Sequence, residues 1–321
     1  MEELPAVPVS IVVPCFNEEG NIRPLFAELA EHCSVKGLSW EFVFVDDGST
    51  DRTIATIHEN LCALPGEAAV VEFSRNFGKE AAILAGLEHA TGEVVVVMDG
   101  DLQDPPSLLV SMVRAITEEG YDMAATHRVD RADEPPVRSA LSRAFYRIWN
   151  CMSPTRLTPG ARDFRALSRP VVDCVVSLRE SNRFSKGIFE WVGFRTKAIP
   201  FENRVRVEGE SSWSLRRLLS YALDGLFSFS ILPLRFASVC GVLISMGAFL
   251  WMAWVILKTL IFGDPVAGYP SLVTILLFVS GIQLLCLGLI GEYLGRTYQE
   301  AKSRPHYLVR RIHRSTQDGE V

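Results

Sequence analysis

Three carboxylates, Asp99, Asp101 and Asp104, fall within six positions of MDGDLQDPP (residues 98–106), where an apolar run ends. Carboxylates do not bind phosphate directly. They do hold a hard divalent cation, and Mg²⁺ or Mn²⁺ takes oxygen ligands with substrate phosphates filling its remaining positions. Asp99 and Asp101 are two apart, so along an extended strand end they face the same way. Asp104 followed by two prolines also reads as the cap of a helix starting near Pro105. Two further polar clusters end apolar runs, PCFNEE (14–19) and VDDGSTD (45–51). No two glycines stand in GxG spacing and GKE at 78–80 is not GK[ST], so neither a dinucleotide fingerprint nor a P-loop is present.

The elements that must position these clusters are short apolar runs alternating with helical patterns. VSIVVP, FVFVDDGS, VVEFS, EVVVVMDGD and YDMAAT read as strands, and 22–36, 78–89 and 106–119 as helices between them. Strands so uniformly apolar are covered on both faces, which predicts a doubly wound, mainly parallel α/β sheet. Ligands of such sheets bind beyond the carboxyl ends of the strands. The three polar clusters are therefore expected to converge on one crevice.

The rest of the chain is different in kind. Of its 321 residues 48% are hydrophobic, with a mean hydropathy of +0.19. The excess is local: 236–257 and 272–290 carry no charge, and each is long enough to cross a hydrocarbon core of ~30 Å. Arg216, Arg217 and Arg235 precede the first stretch, Arg296, Lys302, Arg304, Arg310, Arg311 and Arg314 follow the second, and the short loop between has only Lys258. The positive-inside rule then predicts both termini and the catalytic half in the cytosol. No basic segment followed by an apolar one opens the sequence, so no signal peptide is expected. The seven cysteines form no CxxC pair, which argues against a disulfide framework or a zinc site, and the net charge of -6 argues against a nucleic-acid partner.

PCFNEEGN, VDDGSTD, SRNFGKEAA and MDGDLQDPP, in this order and spacing, resemble the family 2 glycosyltransferases of GT-A fold, and in particular the polyprenyl-phosphate sugar transferases. ARDFRALSR (161–169), VEGESSWSLRRLLSYALDGLFSFSILPLR (207–235) and GEYLGRTY (291–298) extend the resemblance over nearly the whole chain, to the bactoprenol (undecaprenyl-phosphate) glucosyltransferases of the bacterial inner membrane. Relatives making dolichyl-phosphate mannose or the aminoarabinose lipid typically read GESK where this chain reads GESS. Ser212 in place of that Lys favours the glucosyl branch.

The resemblance implies roles for particular residues. Pro14, Asn17, Glu18 and Asp47 would line the nucleotide pocket with Asp46 nearby, although DDGSTD is also a good turn and helix-capping sequence. Asp99, Asp101 and Gln103 would surround the metal, Mg²⁺ or Mn²⁺, and the sugar diphosphate of UDP-glucose. Arg128, Arg138 and Ser142 would meet the acceptor phosphate, with Arg206 nearby, and Asp163 would serve as base or orient the acceptor. Guanidinium suits phosphate through its paired donors. A polyprenyl monophosphate has a second pKa of ~6 and needs no strong base.

Residues 214–230 place Leu215, Leu218, Leu219, Leu223 and Leu226 opposite Arg216, Arg217 and Asp224, the pattern of an interfacial helix, and 137–152 repeats it more weakly. The expected layout is a GT-A domain (1–212), a juxtamembrane amphipathic helix (213–232), a two-helix membrane hairpin (233–295) and a basic cytosolic tail (296–321). Relatives with such a hairpin form tetramers, so a homotetramer is implied. Other donors, GDP-mannose or another UDP-sugar, stay open. A processive polysaccharide synthase would carry QxxRW, which is absent. A silent lipid-binding scaffold would have little use for the acidic clusters.

Overall fold

The computed structural model describes residues 6–128, 149, 161–180, 183–201, 232–262, 268–316 and 319–320. In chain order its elements are β1 (Val7–Cys15), α1 (Glu19–His32), β2 (Leu38–Asp46), α2 (Thr53–Asn60), β3 (Glu67–Phe73), α3 (Lys79–His89), β4 (Val94–Val97), α4 (Leu109–Thr117), β5 (Met123–Arg128), β6 (Ala161–Ser168), α5 (Arg169–Ser177), α6 (Ser185–Trp191), β7 (Thr196–Phe201), α7 (Leu232–Phe262), α8 (Tyr269–Ala301), β8 (Val309–Thr316) and β9 (Gly319–Glu320). They fall into two compact units, 1–225 with 305–321, and 226–304.

The first unit is built on one sheet of strand order β7-β5-β6-β4-β1-β2-β3-β8-β9. Its centre, β4-β1-β2-β3, is parallel throughout. β4 and β1 are apolar on both faces because helices cover both: Val94, Val95, Val96 and Val97 are all at most 2% exposed. In α1, Ile22, Leu25, Phe26 and Leu29 form the i, i+3, i+4, i+7 stripe that packs on the sheet, and Phe26 stacks on Phe44 at 4.8 Å. α3 is buried all round from 81 to 87. It lies so close to β1 that a Cβ on Gly86 would come within 2.1 Å of Val12 Cγ1.

Antiparallel strands flank this centre. β6 pairs antiparallel with both β4 and β5, and β8 antiparallel with β3. Residues 296–321, expected as a basic tail, thus contain a sheet strand: β8 returns after α8, and Tyr307 just ahead of it stacks on Phe73 at 4.8 Å. The short α2 follows closely on DDGSTD, a turn and helix-capping sequence, and its eight residues give too little periodicity to announce a helix by themselves.

The second unit consists of α7 and α8. Both charge-free stretches are helical over their full length. Large apolar side chains stand in the open on both helices, including Leu250 at 68% and Leu284 at 69% exposure. Among the described residues one segment, Phe278–Ala301, is long and apolar enough to cross a membrane. Residues 213–231 and all but one of 137–152, expected as amphipathic helices, lie outside the described residues, Trp149 excepted.

Candidate active site

The carboxyl ends of β4, β1 and β2 lie side by side, with Cys15 level with Asp46 and Met98 N–H donating to Val12 O at 3.0 Å. The first two polar clusters are laced together there. Asn17 N–H donates to Ser49 Oγ (2.9 Å), Thr50 N–H to Asn17 Oδ1 (2.9 Å) and Glu18 N–H to Thr53 Oγ1 (2.8 Å). Asn17 has φ 54°, a left-handed conformation that Asn tolerates better than most residues. Asp46 is buried and accepts from Ser49 N–H, and burial raises its carboxyl pKa against those hydrogen bonds.

Asp47 faces a different partner. Its two oxygens accept from Phe77 N–H (2.6 Å) and Gly78 N–H (2.9 Å), and the residue is 3% exposed. Burial raises this pKa too, opposed by the two backbone donors. Gly48 beside it has φ 71°, and a Cβ there would stand 2.5 Å from Arg75 C, so the β2 turn and the β3-α3 loop touch backbone to backbone. Asp47 and Gly48 therefore fix the loop that delivers Lys79 to the start of α3.

Lys79 is the hub of the site. Its ammonium lies 2.7 Å and 2.9 Å from the two oxygens of Asp99 and 2.8 Å from Asp163 Oδ2. Burial works against the lysine charge, but Asp163 and Asp99 outweigh it and hold the pKa above its usual value. For Asp163 burial raises the carboxyl pKa, while Lys79 and then Lys186, 4.0 Å from Oδ1, more than reverse it and keep the carboxylate ionised. The register explains why residues 64 positions apart meet. β6 runs antiparallel to β4 with Val97 opposite Arg165, so Asp99 and Asp163 each lie two residues beyond the last paired position, at the same end of the two strands. Behind Asp163, Arg165 is 1% exposed, lies over Phe189 at 4.3 Å and donates to Arg162 O at 3.1 Å.

The rest of MDGDLQDPP is a turn, not a strand end, because β4 stops at Val97. The alternation argument for Asp99 and Asp101 is thereby replaced by turn geometry. Gln103 N–H donates to Asp101 Oδ1 at 3.2 Å, and Leu102 between them is 3% exposed with φ 57°, a costly conformation for a leucine. Gln103 Oε1 accepts from Arg162 Nη1 at 3.2 Å. Asp104 is 1% exposed, neither of its oxygens has a hydrogen-bond partner among the described residues, and Arg162 Nε is 4.0 Å away. Burial pushes its carboxyl up to about 7 against the pull of Arg162.

These residues fit a divalent cation of one kind. The described residues contain no group of three or more His, Cys, Asp or Glu set to hold an ion. Mg²⁺ and Mn²⁺ sites for phosphate substrates use one or two carboxylates and leave the remaining positions to phosphate and water. Asp99 and Asp101, two positions apart in a turn, would supply such a pair.

Residues 10–176 match glycosyl transferase family 2, and residues 232–297 match the GtrB C-terminal hairpin. This chain belongs to glycosyl transferase family 2. The SfII prophage-derived bactoprenol glucosyl transferase of Shigella flexneri is 40% identical over 307 residues, 95% of this chain and 98% of that one. A prophage bactoprenol glucosyl transferase homolog of Escherichia coli is 39% identical over 95% of this chain and 99% of its own. An uncharacterized glycosyltransferase of Synechocystis is 41% identical over 94% and 95%. Among solved structures, mannosyl-3-phosphoglycerate synthase from Rubrobacter xylanophilus aligns with a TM-score of 0.49 at 17% identity, over 68% of this chain and 72% of that one.

In this family 2 chain the residues expected at the site divide into three groups. Pro14, Asn17, Glu18, Asp46 and Asp47 gather at the ends of β1 and β2, with Asp47 turned to the Phe77–Gly78 backbone. Asp99, Asp101, Gln103 and Asp163 gather around Lys79 and Arg162. Arg128 ends β5 opposite Phe201, whereas Arg138, Ser142 and Arg206 lie outside the described residues. Sequence reasoning missed Lys79, Lys186 and Arg162 as site residues. Lys79 stood in plain view inside SRNFGKEAA, a stretch that carries the family resemblance, but that resemblance assigned it no role and its GKE spacing excludes only a P-loop.

Proposed function

We propose that the chain transfers glucose from UDP-glucose to undecaprenyl phosphate at the cytosolic face of the membrane, with inversion at the anomeric carbon. The observation that carries this reading is the convergence of Asp99 and Asp163 on one lysine. It sets a carboxylate of the donor side and a carboxylate of the acceptor side within reach of a single ammonium. The names of the full-length relatives, two of them bactoprenol glucosyl transferases or their homologs, support the acceptor and the sugar. The exposed apolar faces of α7 and α8 support a lipid environment, since water would penalise them.

In the proposed reaction the uridine lies against the β1 and β2 turns and the diphosphate against the 99–103 turn. A divalent cation held by Asp99 and Asp101 would neutralise charge on the departing nucleoside diphosphate. The acceptor phosphate is its own nucleophile, because its oxygens are already largely ionised near neutral pH. Lys79 and Lys186 favour the anion of Asp163, and the acceptor phosphate needs no strong base. The part of Asp163 is to hold Lys79 and Lys186 in place and so set the field in which phosphate approaches the sugar. Arg128, Arg138 and Arg206 supply further positive charge for the lipid phosphate.

The test is transfer of radiolabelled sugar to undecaprenyl phosphate by the detergent-purified protein, offering UDP-glucose, other UDP-sugars and GDP-mannose, each with Mg²⁺, Mn²⁺ or chelator. Lipid-linked product from UDP-glucose that disappears with chelator is the expected result. Product from another donor keeps the reaction class and corrects the sugar, and no lipid-linked product from any donor refutes the proposal.

A further inference from the structure

We propose that Lys79 is an internal stand-in for the divalent cation: without substrate its ammonium occupies the Asp99 carboxylate, and metal loading requires it to withdraw onto Asp163. The proposal deepens the metal reading above and rests on it.

Three observations lead there. Lys79 Nζ lies 2.7 Å and 2.9 Å from the two oxygens of Asp99, so both are already in contact with a cation. An ion seated on those oxygens would stand against the ammonium at a distance where like charges repel. The lysine also has somewhere to go, since the same ammonium is 2.8 Å from Asp163 Oδ2 and need not be left without a counter-charge. Finally, the site is open to ions from solution, the side chains of Lys79, Asp99 and Asp163 being 37%, 26% and 20% exposed.

The charge count makes this a device with a purpose. Asp99, Asp101 and Asp163 against Lys79 and Lys186 leave a single net negative charge, so this cluster offers a free divalent cation only weak attraction. A nucleoside diphosphate brings the missing negative charge. The metal is therefore taken up together with the sugar nucleotide, and the chain is protected from filling the site with metal alone.

The probe is Mn²⁺ without nucleotide, its free concentration followed by its paramagnetic resonance signal in titrations of the detergent-solubilised full chain. Lys79→Gln is expected to bind Mn²⁺ about tenfold more tightly than wild type, because one competing positive charge is gone. Lys79→Arg, which keeps the charge, is expected to stay near wild type. Asp163→Asn leaves the lysine only Asp99 to pair with, and is expected to weaken Mn²⁺ binding; this opposite sign keeps the test decisive should Lys79→Gln fail to fold. Mn²⁺ affinity in Lys79→Gln equal to or weaker than wild type overturns the proposal, as does unchanged or tighter binding in Asp163→Asn. If wild type binds no Mn²⁺ even with UDP present, the metal assignment itself falls, a failure separate from that of the lysine exchange.

Discussion

Replacing Asp47 by Ala separates two jobs that one carboxylate can have at this position, lining a nucleotide pocket or tying down a loop. The substitution deletes both acceptors for Phe77 N–H and Gly78 N–H, which sit 2.6 Å and 2.9 Å from the carboxylate oxygens. A fully buried orphaned donor costs about 1–3 kcal/mol, and Phe77 and Gly78 are half-buried, so about 2–6 kcal/mol is the upper bound for the two together. Burial of the charge, which raises the Asp47 pKa, is relieved by the same change and draws the expectation toward the lower end, about 2–3 kcal/mol. That is a large part of the roughly 5–15 kcal/mol that holds a typical domain together. Asp47→Asn retains one acceptor oxygen and should lose about half as much. The assay is pulse proteolysis of the detergent-solubilised chain across a urea series, with sugar transfer measured on the same preparations. Stability of Asp47→Ala within about 0.5 kcal/mol of wild type, accompanied by loss of transfer, would refute the loop-holding argument and return Asp47 to the nucleotide pocket.

Other expectations follow from the same geometry. Gly86→Ala places a Cβ 2.1 Å from Val12 Cγ1, and overpacking of this kind costs about 1–3 kcal/mol; an unchanged urea midpoint would show that α3 can move off the sheet. Asp101→Asn should abolish transfer with the folded fraction intact, because it removes one charge from the metal and diphosphate clamp, and full activity would end the metal assignment of that residue. His89 is partly buried at the end of α3, and burial, aided by Arg314 and opposed by Glu88, lowers its pKa below 6.5. Its neutral form therefore favours the fold: the contribution is fully present above about pH 6.5 and is lost as pH falls toward the lowered value. His89→Gln should flatten the decline of the urea midpoint between pH 7.5 and pH 5.5 of about that origin, and an identical slope in both proteins would contradict it.

The centre of the sheet was legible because its physical cause is local. A strand covered by helices on both faces must be apolar at every position, and VSIVVP, FVFVDDGS and EVVVVMDGD state this outright. The amphipathic stripe of α1 and the charge-free lengths of α7 and α8 are local in the same sense. β8 was hidden because a peripheral strand rich in arginine, VRRIHRST, looks like a basic tail until β3 is placed beside it. α2 was hidden by brevity.

At the site, residue types alone marked Asp99 and Asp101 as oxygen donors and the ends of β1 and β2 as a nearby turn pair, since carboxylate spacing is a property of the chain, whereas Gln103 was implied only by the family resemblance. What those groups face belongs to the tertiary structure. The antiparallel insertion of β6 beside β4 carries Asp163 across 64 residues to Asp99, and the backbone contact between Gly48 and Arg75 sets Lys79 between them. Electrostatic energy depends on distance through space and on burial, and neither is written in the order of residues along the chain.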